Sequence, residues 1–238
     1  MPTGRPPSLA ELNATIGPPQ ALPDRVYALI KHQIITCAIL PGQRLNEKDL
    51  AADLKVSRTP LREALNRLSQ ENLVARVPYC GYVASPITED AIRDLCESRL
   101  ILETATAGLA AERATPEDID RLTRCMELRY TPGDRQTYVQ YLRDNSIFHR
   151  ELARASGNRR LESLVAALLD ELQRPLYLGL DVGLDAACAT QEHVLIVETI
   201  KARDPAAARQ LHTEQIIGAN ERIMAAMRDQ AATKRDPA

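Results

Sequence analysis

At 238 residues the chain is long enough for two modest domains, and with one Phe and no Trp their cores must be aliphatic. No run of about 18 apolar residues occurs, which argues against a helix across a membrane, and five scattered cysteines without CxxC spacing exclude a disulfide framework or zinc knuckle. Net charge is −2, but residues 24–83 carry +3 and residues 86–238 carry −5, a mildly basic head on an acidic body, as in a protein that binds DNA with one end.

In chain order, residues 1–22 hold Pro2, Pro6, Pro7, Pro18 and Pro19 and lack the apolar stretch of a signal peptide. They read as a disordered arm whose Arg5 could touch DNA. A domain over residues 23–85 follows. Its first helix is expected from Asp24 to about Ala38, with Val26, Leu29, Ile30, Ile34 and Ile35 inward and His32 at the surface. Asn46 caps a short helix over 47–54, with Glu47 and Asp49 in the first turn. After a turn at Lys55-Val56-Ser57, Ser57 reads as the N-cap of the next helix, and Pro60 falls in its first turn.

Leu61, Ala64, Leu65 and Leu68 make one buried stripe at i, i+3, i+4, i+7. The opposite face presents Arg58, Thr59, Arg62 and Asn66, side-chain types that hold phosphates and read base edges in a major groove. Leu73–Val77 and Tyr82–Ala84 read as two strands around a tip at Pro78-Tyr79-Cys80-Gly81. The pattern is a helix-turn-helix with a wing. On charge alone, an amphipathic helix pair in any helical protein would give the same stripe.

The string from Pro41-Gly42 through Ser57-Arg58-Thr59-Pro60-Leu61-Arg62-Glu63-Ala64-Leu65 to Leu68 resembles the winged-helix domain of the GntR family of bacterial transcription regulators. The resemblance covers residues 24–84. It implies DNA contacts by Lys48, Ser57, Arg58, Thr59 and Arg62, with Arg44 as an addition. Wings of this family commonly have a basic or Gly-rich tip. Here Tyr79 is the candidate substitute, and Gly81 permits close approach to the minor groove.

Ser85-Pro86 reads as a linker to a domain over residues 86–230, with a polar tail over 231–238. Thr88 caps a helix to about Ala114, and Thr115-Pro116-Glu117-Asp118 opens another to about Tyr130. Helices from about Asp134 to Ala155 and from Arg159 to Leu180 follow. After a turn at Asp181-Val182-Gly183, one from about Asp185 to Ala202 comes next, and the last runs from Asp204-Pro205 to about Arg228. Six helices with short connections make an antiparallel bundle. The expected fold class is mainly α: an N-terminal winged helix-turn-helix, then this bundle.

The second half resembles the FCD effector domain of GntR regulators through Arg99-x-x-x-Glu103, the Phe148-His149-Arg150-Glu151-Leu152-Ala153 segment, Glu192-His193 and the Asp204 helix start. Such domains bind small carboxylic acids, often with a divalent metal held by an Asp four residues before the FH histidine and by three histidines. In this sequence His149 and His193 fit, but Asn145 stands where the Asp would be, and the third histidine position falls on Gln215. His212 lies about one turn earlier. Two readings stay open: one divalent Zn, Ni or Mn ion per chain on Asn145, His149, His193 and His212, or no metal and a polar pocket. The effector pocket implied by the resemblance is Arg99, Asn145, His149, His193 and Gln215. Arg99 suits a carboxylate, or it forms only a surface i, i+4 pair with Glu103.

Two functions follow. The first is a cytoplasmic homodimeric regulator, usually a repressor in this family, that binds a palindromic operator in double-stranded DNA under control of a small organic acid. The second is a metal-dependent hydrolytic enzyme on a helical bundle, although no nucleophile–base set is recognisable.

Overall fold

Residues 22–79, 81–180 and 186–235 are described by a computed structural model, with side chains as far as residue 228. The proline-rich arm, Cys80 and the expected turn at Asp181-Val182-Gly183 lie outside the described residues. The chain divides into two compact units between Ile87 and Thr88.

The first unit is built from α1 (Leu22–Ile35), β1 (Arg44–Leu45), α2 (Glu47–Leu54), α3 (Arg58–Gln70), β2 (Val74–Val77) and β3 (Gly81–Ala84). Asn46 caps α2 by accepting from the Lys48 amide at 2.9 Å, and Lys55 closes that helix in the left-handed conformation (φ 55°, ψ 43°). The cap expected of Ser57 is only half made. Its backbone has the extended N-cap geometry, but its hydroxyl makes no cap hydrogen bond. Leu61, Leu65 and Leu68 of α3 are buried with Val26, Leu29, Ile30 and Ile34 of α1 and Tyr82 and Ala84 of β3. Each of these Leu, Ile and Val side chains contributes about 1.5–3 kcal/mol of transfer free energy. His32 is half-buried rather than at the surface, and burial lowers its pKa.

Strands β2 and β3 form an antiparallel hairpin, Val74 opposite Ala84 and Val77 opposite Gly81. The sequence reading missed β1, which pairs with β3 to give the order β1-β3-β2. Two residues are too few to show alternation. This pairing ties the start of α2 to the base of the wing.

The second unit holds α4 (Glu89–Arg113), α5 (Pro116–Arg124), α6 (Arg135–Ala155), α7 (Arg159–Leu180), α8 (Ala186–Lys201) and α9 (Pro205–Arg235). Helices α4 and α9 pack along one another, with Gly108 of α4 lying under the Arg209 side chain of α9. Thr115 and Asp118 form a reciprocal capping box at the start of α5. That helix ends at Arg124, not near Tyr130, because the following backbone bonds to α8. The Leu128 amide donates to Thr190 Oγ1 at 3.0 Å, and Met126 O meets His193 Nδ1 at 3.1 Å. At the other end α9 is helical to Arg235, beyond the expected stop near Arg228. The fold is therefore mainly α, a winged helix-turn-helix followed by a helical domain.

Candidate functional site

The DNA-facing residues expected from the sequence all lie at the surface of the first unit. Arg44, Lys48, Ser57, Arg58, Thr59, Arg62, Tyr79 and Gly81 are exposed. Ser57, Arg58, Thr59 and Arg62 fall within the first two turns of α3 or at its cap, since the Leu61/Ala64/Leu65/Leu68 stripe turns the other way into the core. Arg62 Nε donates to Glu47 Oε2 at 2.6 Å, joining the exposed face of α3 to the first turn of α2. At the wing tip Tyr79 is fully exposed with φ 62°, a left-handed conformation that costs a non-glycine residue energy. Gly81 has φ 83° and open space around a would-be Cβ, so glycine is there for its backbone.

Inside the second unit, a polar cluster interrupts an apolar core that, contrary to the aliphatic core expected, also buries Tyr138, Tyr141, Phe148 and Tyr177. Arg99, Glu103, Asn145, His149, His193, His212 and Gln215 are all buried. Residues 99 and 103 share the face of α4 that also buries Thr106, Ala107, Ala110 and Ala111. The Arg99–Glu103 pair is therefore not the surface bridge that i, i+4 spacing alone would suggest. Arg99 Nε donates to Glu103 Oε1 at 2.5 Å, with both side chains almost wholly out of solvent. The second carboxylate oxygen faces the imidazoles, with Oε2 at 3.2 Å from His212 Nε2 and 3.4 Å from His149 Nδ1.

The cluster's electrostatics follow from these contacts. Burial alone would raise the pKa of Glu103, but the Arg99 guanidinium and the hydrogen bond from His212 outweigh it and hold the carboxylate ionised. Burial pushes His149 well below the ordinary histidine value, against the pull of Glu103. It lowers His193 to about 3, against the bond to Met126 O. Both imidazoles are accordingly neutral near pH 7. A carbonyl oxygen only accepts, so His193 carries its proton on Nδ1 and leaves a lone pair on Nε2. Phe148 stacks on that ring at 3.7 Å between centroids, fixing its plane.

Four buried polar atoms here have no hydrogen-bond partner among the described residues: His149 Nδ1, His193 Nε2, His212 Nδ1 and Gln215 Oε1. Buried polar atoms are nearly always satisfied, so this concentration makes the cluster the candidate ligand site of the helical unit. Glu103, His149 and His212 offer ligand atoms that all lie within 4.8 Å of one another. Zinc with bonds of about 2.0–2.1 Å in a tetrahedron separates its donors by roughly 3.3 Å, close to the 3.2 and 3.4 Å measured here. The donor set fits a divalent ion.

This grouping differs from the one read in the sequence. His149 and His212 are brought together as expected, and Gln215 joins the pocket. His193 lies beside His149, with ring centroids 5.2 Å apart and Nε2 unpartnered, but falls outside the three-residue group, and Asn145 is buried one turn before His149. The residue missed as a ligand candidate is Glu103. The signal was present, since its position continues the small, apolar stripe of α4, where an ionised side chain must have a partner.

Fold and sequence together define a winged helix-turn-helix transcriptional regulator with a C-terminal helical domain. Residues 22–83 match the bacterial regulatory proteins of the gntR family and residues 94–217 match the FCD domain, and the chain belongs to this family. It is 37% identical over 133 residues to the Nta operon transcriptional regulator of Aminobacter aminovorans, a match covering 56% of this chain and 63% of that one. It is 32% identical over 181 residues to the transcriptional repressor NanR of Cronobacter sakazakii, covering 67% and 68% of the two chains. The solved structure of McbR/YncC from E. coli shares the fold, with a TM-score of 0.67 at 24% identity over 89% of this chain and 99% of that one. Among the described residues no helix is long and apolar enough to cross a membrane.

Proposed function

We propose that the chain is a cytoplasmic, homodimeric, operator-binding regulator, acting as a repressor, whose DNA affinity is set by a small organic acid bound in the helical domain. One observation carries the reading: a buried polar cluster with four unpartnered atoms beside an otherwise apolar core. Two copies would set two α3 helices into successive major grooves of a palindromic site. Arg58 and Arg62 would supply guanine or phosphate contacts, Lys48, Ser57, Thr59 and Arg44 would fix register, and Tyr79 and Gly81 would meet the minor groove.

In the pocket, the unpartnered His193 Nε2 and Gln215 Oε1 would accept hydrogen bonds from a polar acid, whose carboxylate would meet Arg99 while Glu103 stays paired to it. A divalent ion, Zn, Ni or Mn, would add a Lewis-acid seat for a carboxylate. Effector and operator would then be linked by a coupling free energy of about 1–3 kcal/mol.

A shift assay on the chain's own promoter region tests this reading. Salt-sensitive binding is expected, lost in the double variant Arg58→Ala, Arg62→Ala without a change in melting temperature, because both side chains are exposed. Effector binding is read as a change in the shift with added carboxylic acids. Catalytic turnover by a chain that ignores DNA would sink the proposal.

A further inference from the structure

We infer that Glu103 is the carboxylate of the divalent-metal site, replacing the one absent at position 145, and that it holds the ion together with His149 and His212. The inference rests on reading the buried cluster as a ligand pocket and goes on to assign its charge.

A divalent cation taken from water into a closed helical bundle needs anionic compensation. On α6 the position one turn before His149 is Asn145, whose amide has no charge to give. Among the described residues, Glu103 is the carboxylate that contacts these histidines. It reaches them from α4, a different helix, so the charge enters the pocket from another wall.

The carboxylate divides its work between two oxygens. Oε1 takes the Arg99 Nε–H, and Oε2 lies 3.2 Å from His212 Nε2 and 3.4 Å from His149 Nδ1. Arg99 is then a positioning residue: it fixes the carboxylate plane and keeps it ionised, as outer-shell partners of metal ligands commonly do. In the ion-bound arrangement Glu103 Oε2, His149 and His212 each give a lone pair to the ion. The His212 N–H that now faces the carboxylate must move to the ring's other nitrogen or leave as a proton, so loading releases or relocates one proton per site. His193, with Nε2 unpartnered and its ring clamped against Phe148, is left to face an organic ligand.

The test uses the full chain, stripped with chelator and titrated with Zn²⁺ by calorimetry. Wild type is expected to bind one ion, and Glu103→Gln to lose about 100-fold in affinity. Adding Asn145→Asp to Glu103→Gln is expected to restore most of that loss by returning a carboxylate one turn from His149. Circular dichroism shows whether each variant is folded. Independently of variants, a wild-type crystal soaked in Zn²⁺ is expected to show the anomalous peak within bonding distance of Glu103 Oε2. Unchanged affinity in folded Glu103→Gln, no binding by wild type, or a peak on His149 and His193 with Glu103 bound only to Arg99 would each overturn the assignment. None of these results depends on DNA binding, so the assignment and the regulator reading fail separately.

Discussion

His149 and His193 are titratable groups stored in their neutral form, and this sets how the protein responds to acid. An unfolded histidine titrates near pH 6.5, whereas His193 is lowered to about 3 in the folded chain. Between those values the unfolded chain binds a proton that the native chain refuses. Stability is therefore complete above about pH 6.5 and falls as pH drops. His193 alone should cost about 2 kcal/mol between pH 6.5 and pH 5. Melting temperatures of metal-free protein across that range check it, and His193→Gln should flatten part of the slope. A slope of opposite sign would contradict burial as the cause. At this scale, reading the sequence found the histidines through motif and spacing but gave Glu103 no role beyond that of an i, i+4 partner to Arg99. Charge at i, i+4 looks the same on either side of a helix until the apolar stripe is followed through it.

Single helices make sharper mechanical tests. The capping box of α5 depends on the Thr115 hydroxyl, which accepts from the Asp118 amide at 3.2 Å. Thr115→Ala should lower stability by about 1 kcal/mol in denaturant titration. Gly108→Ala should behave differently. The new Cβ meets only the far end of the Arg209 side chain, whose surface pair with Glu112 at 3.4 Å is half-exposed. Such a pair is worth tenths of a kcal/mol. If Arg209 swings outward, the gain in helix propensity of about 1 kcal/mol leaves the variant neutral or stabilised. A loss above that amount would show that Arg209 cannot move.

Long helices were legible from period and caps, as α7 shows by running from Arg159 to Leu180 as read. The early end of α5 was not, because it follows from bonds to Thr190 and His193, more than sixty positions away.

The two units have separate hydrophobic cores, one drawn from residues 26–84 and the other from residues 107–208. Each core should melt as its own cooperative body. Calorimetry of the full chain is expected to show two transitions. Zn²⁺ should raise only the one that belongs to the helical domain, since a ligand stabilises the structure that binds it. Movement of both transitions together would mean that the units unfold as one. The winged unit was the more legible half, because its function needs a contiguous string on one helix. The buried polar cluster draws on α4, α6, α8 and α9, so its geometry existed only once those helices were packed.

The pairing of Arg99 with Glu103 also bears on false signals. Within the buried cluster the two charges cancel, and His149 and His193 add none. A simple anion entering alone would have to draw Arg99 away from its partner and would leave a carboxylate stranded in a medium of low dielectric. Abundant monoacids such as acetate should thus bind there poorly, however well they fit by size. A molecule that also gives a hydrogen to the waiting imidazole nitrogens, or arrives with a cation, compensates both sides of the pair. Selectivity of this kind needs no steric gate, because it is written in the requirement that the pocket stay neutral.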